Sequence, residues 1–171
     1  MIENKVKWCL NKAERELTEN RTHRGLVKIK QDLEKSRAHI KKADHYLKAT
    51  FHLKRGNFTD LTASTLFYTM YHSLLAIIAK FGYESRNQEC TFALIFQLIE
   101  DGNLNFDKKL LDKITDLELQ EKHTEHSEKT SIEIREEYQY GTEIELKEDV
   151  YNELLELTKN ILSQAKLIIE Q

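Results

Sequence analysis

The chain contains no proline and only five glycines among its 171 residues. Folds rich in β-sheet need many tight turns, and such turns draw heavily on glycine and proline. Their scarcity predicts a few long helices rather than a β-sandwich or barrel. The glycines are also too far apart to form a GxGxxG or P-loop motif, which argues against a mononucleotide site built on a glycine loop.

Cysteine is equally scarce. Cys9 and Cys90 are isolated, form no CxxC motif and suggest no disulfide framework, which fits a reducing cytoplasm. The first residues lack an apolar stretch of signal-peptide length, and no run of about 18 apolar residues is present. We therefore expect a cytoplasmic protein without a membrane span. Cys90 is expected to be a small buried side chain, with activation as a thiolate near a helix start as the alternative.

Charge is unevenly distributed along the chain. The net charge is −3, yet residues 1–55 carry a net +8 and residues 56–171 a net −11. A basic half is suited to RNA or to an acidic partner. The alternative is that the two halves complement each other within the fold or across a dimer.

Apolar residues at spacings of three and four predict helices. The predicted segments are 3–19, 26–55, 59–81, 85–101, 107–130 and 148–169. Segment 59–81 is apolar almost all round, as expected of a buried central helix. Ser85 and Gln88 have the spacing of a capping box, and Asp107 is the expected cap of the next helix.

Residues 131–146 alternate apolar and polar side chains, which allows a hairpin turning at Gly141 or a helix end followed by an extended loop. We favour the loop because an isolated hairpin is only marginally stable. The whole chain, residues 1–171, is predicted to be a single all-α domain. Its expected architecture is an up-and-down bundle of about five or six helices.

Four sequence features occur in a characteristic order. Residues 67–72 read Phe-Tyr-x-x-Tyr-His within the aromatic helix, and a Gly-Tyr break follows at 82–83. The polar stretch Ser-Arg-Asn-Gln-Glu-Cys-Thr at 85–91 then opens the next helix, and REEYQYG at 135–141 precedes the last one. In this order of motifs the chain resembles the HEPN family of small helical nucleotide-binding domains, most clearly over residues 37–95 and 132–170.

The resemblance implies a helical bundle that pairs as a homodimer. Many HEPN proteins are metal-independent ribonucleases, often toxins neutralised by a partner with a nucleotidyltransferase fold, and others are binding or accessory modules. The nuclease members carry an arginine followed after four to six residues by a histidine. None of the seven arginines in this chain has a histidine at that spacing.

We therefore expect a non-catalytic binding or accessory module that partners a nucleotidyltransferase-type protein or binds nucleotide or RNA. No cofactor or metal is expected. One alternative is a metal-independent, toxin-like ribonuclease with a rearranged active site, and another is a purely structural dimer.

His72 and Arg86 are the catalytic candidates under the ribonuclease hypothesis. Cleaving RNA without a metal requires a base for the 2′-hydroxyl and a cation for the phosphate, and these two residue types supply them. Tyr68 lies one helical turn before His72 and joins the binding candidates. The alternative for His72 is a buried core histidine hydrogen-bonded to a neighbouring helix.

Two further groups are binding candidates. Arg86, Asn87 and Glu89 stand at a predicted helix N-terminus, where anions bind, although simple capping explains the same residues. Arg135, Tyr138 and Tyr140 offer a cation and stacking rings, although packing of the rings onto the bundle is the alternative. The pair His123 and His126 has H-x-x-H spacing without a fixed third ligand, so a solvated helix end is expected there.

Overall fold

The computed structural model describes residues 2–115 and 129–171. Seven helices and two short strands are present in this part of the chain. They are α1 (Ile2–Thr18), β1 (Leu26–Lys28), α2 (Leu33–Arg55), α3 (Thr59–Lys80), β2 (Tyr83–Ser85), α4 (Gln88–Glu100), α5 (Lys108–Asp112), α6 (Ser131–Tyr140) and α7 (Glu148–Glu170). The all-α prediction is confirmed. The described residues form seven helices rather than about five or six, and α6 is the helix that the apolar spacing did not predict.

Helix α3 is the centre of the fold. It packs against α2, α4, α6 and α7, and its side chains Phe67, Met70, Leu74 and Ile77 are fully buried. By length and composition α3 is apolar enough to cross a membrane, but two-thirds of its most apolar stretch is buried inside the protein. Its hydrophobicity is therefore accounted for by its place in the core.

Helices α2 and α3 form an antiparallel pair. Thr50 lies against Thr65, with their hydroxyl oxygens 2.7 Å apart, and His39 lies against His72 farther along the same two helices. Because only the short turn 56–58 connects the two helices, α3 must run antiparallel to α2. This pairing brings residues from two separate sequence segments onto one face.

The start of the second predicted helix was wrong. Residues 26–28 form β1, which pairs antiparallel with β2, Leu26 opposite Ser85 and Lys28 opposite Tyr83. The helix begins only after Asp32, whose carboxylate accepts a hydrogen bond from the Lys35 amide at 2.8 Å. Asp32 is a strong N-cap, and it starts the helix seven residues later than the apolar spacing suggested.

The predicted capping box at Ser85 was also wrong. Ser85 ends β2, and its hydroxyl donates to the Asn87 carbonyl at 2.9 Å. Asn87 is the cap of α4, accepting from the Cys90 amide at 3.0 Å. The β1–β2 pairing holds Ser85 in the strand, so the helix starts at the next suitable cap.

The fifth predicted helix is confirmed at its start only. Asp107 accepts from the Lys109 amide at 3.0 Å and caps the short helix α5. Residues 116–128, with His123 and His126, lie outside the described residues.

At 131–146 the favoured interpretation, a helix end followed by an extended loop, has the right order, but its first ten residues form a separate helix. Those residues form α6, started by a capping box in which the Thr130 hydroxyl and the Glu133 carboxylate each bind the other's backbone amide. Residues 143–147 then run without regular structure to α7. A hairpin turning at Gly141 is excluded, because the preceding arm is helical.

The expectation of unpaired cysteines was wrong. Cys9 in α1 and Cys90 in the first turn of α4 are joined by a disulfide and are fully buried. The sequence gives no sign of this pairing, because the two residues meet only when α1 packs on α4. Because Cys90 is disulfide-bonded, the alternative in which it is activated as a thiolate is also wrong. The cysteines no longer argue for a reducing compartment, and the cytoplasmic location stays a prediction.

Candidate functional site: a histidine pair beside a basic helix

The most distinctive polar contact of the described residues joins two histidines. His39 projects from α2 and His72 from α3, and their Nδ1 atoms lie 3.0 Å apart. At that distance one Nδ1 donates a proton and the other accepts it, so the two rings hold different tautomers. Both rings are only partly buried. His72 is therefore not a core histidine but half of a pair at the surface of the bundle.

Two tyrosines extend this pair into an aromatic stack. The Tyr46 ring stacks with both His72 and Tyr68, with centroid distances of 5.6 and 5.4 Å and interplanar angles of 22° and 25°. The Lys42 ammonium lies 5.2 Å from the Tyr46 ring centroid. We call His39, His72, Lys42, Tyr46 and Tyr68 the histidine patch.

Both histidines of the patch are held in the neutral form at neutral pH. Burial lowers the pKa of His72 to about 4, with further lowering by His39 and Lys42. Burial also lowers the pKa of His39, helped by Lys35 and opposed by Glu84. A neutral imidazole is the form that accepts a proton or a metal ion, so the pair is chemically available as base or ligand.

A second polar group, which we call the Glu84 cluster, adjoins the histidine patch. The Lys35 ammonium donates to Glu84, and His23 Nε2 and Arg86 Nε each lie 3.3 Å from Glu84 Oε1. The hydrogen bond from Lys35 is the largest cause that lowers the Glu84 pKa to about 2. This carboxylate therefore stays ionised and fixes β2 against α2.

The two predicted catalytic residues fall into these two neighbouring groups. His72 belongs to the histidine patch, whereas Arg86 is exposed and donates to Glu84. Lys35 links the groups, because it binds Glu84 and also acts electrostatically on His39. The cations that lower the pKa values of the histidines are Lys35 for His39 and Lys42 for His72, and Arg86 is not among these causes.

Asn87 and Glu89 have structural partners. The Asn87 side chain caps α4, as described above, and the Glu89 carboxylate accepts from the Lys5 ammonium at 2.6 Å. These contacts match the capping interpretation of the segment. Arg86 and Glu89 are both exposed, and each is paired with a charged neighbour, Arg86 with Glu84 and Glu89 with Lys5.

The three candidates on α6 are split by burial. Arg135 is 7% exposed, and its guanidinium lies 4.6 Å from the Phe67 ring centroid while one of its nitrogens donates to Glu136 at 2.9 Å. Tyr138 packs onto a core cluster and lines a groove of about 840 Å³ between α6 and α7. Tyr140 is 76% exposed. The packing alternative therefore holds for Tyr138 and not for Tyr140.

Sequence reasoning missed His39, Tyr46, Lys42 and Lys35 as members of one site. A signal was present: His39 and Tyr46 are seven residues apart, which places them on one face of α2, as the i, i+4 pair Tyr68 and His72 share one face of α3. The sequence does not show that these faces of α2 and α3 pack against each other.

Neither a protein-family model nor a curated protein matches this chain. Within residues 2–115 and 129–171, no group of three or more His, Cys, Asp or Glu side chains is arranged to hold a metal ion. The function must therefore be argued from the geometry of the histidine patch itself.

Proposed function

We propose that the protein is a HEPN-like helical module that binds RNA through the histidine patch and the basic side chains of α2. The observation that carries the proposal is the Tyr68–Tyr46–His72 stack next to Lys42. Aromatic rings beside cations are the combination by which proteins bind single-stranded nucleic acid, the rings stacking on bases and the cations contacting phosphates.

The charge of the surrounding surface supports this proposal. Arg37, Lys41, Lys42 and Lys48 are exposed along α2. They belong to the segment 1–55 with its net charge of +8. Such a helix attracts a polyanion over a distance of about 8–10 Å at physiological salt.

The HEPN resemblance is supported by the meeting of two of its motifs. Phe67, at the start of the Phe-Tyr-x-x-Tyr-His stretch, lies under the guanidinium of Arg135, at the start of REEYQYG. Two segments that are 68 positions apart thus pack against each other. The homodimer and the partner with a nucleotidyltransferase fold remain predictions of the resemblance.

Binding of a fluorescent single-stranded RNA, followed by anisotropy at several salt concentrations, tests the proposal. Lys42→Gln is expected to weaken binding and to reduce the slope of log K against log salt by about 0.7, the value for one lost phosphate contact on a single strand. Lys7→Gln is the matched control, because Lys7 is exposed on α1, away from the patch.

The stacking part of the proposal has its own pair of variants. Tyr46→Ala is expected to lose about 1–3 kcal/mol of binding free energy, whereas Tyr46→Phe keeps the ring and most of the affinity. Wild-type protein that binds no RNA, or equal weakening by Lys7→Gln and Lys42→Gln, would contradict the proposal.

RNA cleavage without a metal is a second candidate, favoured by the His39–His72 contact. A neutral histidine can accept the 2′-hydroxyl proton, and Lys35 or Lys42 supplies the cation beside it. The test is cleavage of RNA in excess EDTA by wild type, His72→Gln, His39→Gln, Arg86→Ala and the control His45→Gln. His45 is exposed on the same helix α2. Loss of cleavage in His72→Gln and His39→Gln alone supports the ribonuclease function. If the wild-type protein does not cleave RNA, only the RNA-binding function remains.

A further inference from the structure

The two Nδ1 atoms of the histidine pair have the separation of neighbouring ligands on one ion. They lie 3.0 Å apart. With metal–nitrogen bonds of about 2.0–2.1 Å, two nitrogen ligands are about 2.8 Å apart at a right angle and about 3.3 Å apart at the tetrahedral angle. The observed distance falls between these values, so both nitrogens can reach one ion that lies to the side of the line joining them.

The hydrogen bond of the pair also suits a metal. A histidine binds a metal through a neutral ring nitrogen, and the contact between the two Nδ1 atoms requires that the accepting nitrogen carries no proton. Only the tautomer has to change: the proton shared between the Nδ1 atoms moves to an Nε2 atom, so that both Nδ1 lone pairs face the ion. No net proton is released in this exchange.

The supports of the two rings keep the donors in place. Tyr46 stacks on the His72 ring, and the Tyr71 ring meets His72 edge-on at 6.3 Å between centroids. The charged groups that act on the pair are Lys35, Lys42 and Glu84. The two lysines repel a cation, which limits the affinity without removing the ligands.

We propose that His39 and His72 together bind one nitrogen-preferring divalent transition ion, of the class of Zn²⁺ or Ni²⁺, through their Nδ1 atoms. Imidazole nitrogen is a preferred ligand of these ions, whereas Mg²⁺ and Ca²⁺ prefer oxygen. Two histidines and water complete the coordination. The affinity is therefore expected to be lower than at sites with three or four protein ligands.

Zinc binding is measured by competition with a chromophoric chelator, in buffer at pH 7.5 without added RNA. All variants carry His123→Gln and His126→Gln, which removes the H-x-x-H pair as a source of binding. One Zn²⁺ per chain is expected. His39→Gln and His72→Gln should each weaken binding at least tenfold, whereas His45→Gln, on the same helix α2, should leave it unchanged.

Nitrogen NMR of the imidazole rings gives a readout that does not depend on affinity. On addition of Zn²⁺ the Nδ1 signals of both histidines should shift to the metal-bound range, with protons on both Nε2 atoms. Absence of zinc binding, binding lost on removal of His123 and His126, or equal weakening by His45→Gln would each overturn the proposal.

Lys42→Gln distinguishes the metal site from the proposed RNA site. Removing this positive charge should tighten zinc binding several-fold, because the ammonium repels the ion, yet it should weaken RNA binding. Failure of the RNA proposal leaves the zinc measurement unaffected, since zinc binding is measured on the protein alone. Weaker zinc binding by Lys42→Gln would overturn the proposal, because an ion bound between His39 and His72 must be repelled by this ammonium.

Discussion

Cys9 in α1 and Cys90 in α4 are 81 positions apart and share a buried disulfide. The bond closes a loop that contains α2 and α3, and it attaches α1 to the turn that Asn87 caps. Because a cross-link between distant residues restricts the unfolded chain, we expect it to contribute about 2–4 kcal/mol to the free energy of unfolding.

Cys9→Ser is predicted to unfold at a lower urea concentration than wild type. The difference should correspond to about 2–4 kcal/mol in the free energy of unfolding. The measurement is equilibrium unfolding with and without excess dithiol reductant. Reductant should bring wild type close to Cys9→Ser and leave the variant itself unchanged. Two free thiols in denatured, unreduced wild type would contradict the pairing.

The Glu84 cluster is predicted to make stability depend on pH in the acid range. The Glu84 pKa is lowered to about 2 in the folded protein, so the folded state favours the ionised carboxylate. The resulting stabilisation is fully present above the ordinary pKa of a glutamate and is lost as the pH falls toward 2. Urea unfolding between pH 2 and 7 should show a smaller loss in this range for Glu84→Gln than for wild type.

Glu89→Gln is the control for that experiment. Glu89 is exposed and pairs with Lys5, and such surface pairs contribute little to stability. The pH profile of Glu89→Gln should therefore follow wild type. A Glu84→Gln profile parallel to wild type below pH 4.5 would argue against the cluster.

The histidine pair is predicted to make the stability of the fold depend on pH in a different range. The His72 pKa is lowered to about 4, so protonation is harder in the folded state than in the unfolded state. Folding is then destabilised as the pH falls from about 6.5, the ordinary value, toward 4. His72→Gln should remove this part of the pH dependence.

The contact between His39 and His72 also predicts how removal of His39 changes the pKa of His72. His39 is a cause of the low His72 pKa, second only to burial. His39→Gln should therefore raise the His72 pKa toward its ordinary value, as read from an NMR titration of the ring. An unchanged pKa would show that the two rings do not interact, and a lower pKa would show that His39 favours the charged form of His72.

Gly82 and Gly102 form a matched pair for testing the β1–β2 connection. Both have positive φ, +79° and +70°, where a side chain costs about 1–2 kcal/mol. A Cβ at Gly82 would also lie 2.9 Å from the Ile29 carbonyl oxygen, whereas nothing lies within 4 Å of one at Gly102.

Gly82→Ala is therefore predicted to lower the free energy of unfolding by more than Gly102→Ala. Ile29 has little room to move, because its amide donates to the Gly82 carbonyl at 2.9 Å. Thermal or urea unfolding of both variants checks the order. Equal losses would mean that only the backbone conformation matters at Gly82.

The sequence by itself determined the helical class, the central place of α3 and the extent of three of the four long helices. Scarce glycine, absent proline and apolar spacings of three and four are local properties, and they predicted α1, α3 and α7 to within two residues at either end. Asp107 could also be identified as a cap, because capping depends on neighbouring residues only.

Tertiary structure alone decided the rest. The β1–β2 pairing moved the starts of α2 and α4, packing of α1 on α4 joined Cys9 to Cys90, and the antiparallel return of α3 brought His72 to His39. Each of these contacts joins residues at least 33 positions apart. Periodicity shows which face of a helix is apolar but not which other face will meet it, and so the histidine patch appears only in the folded chain.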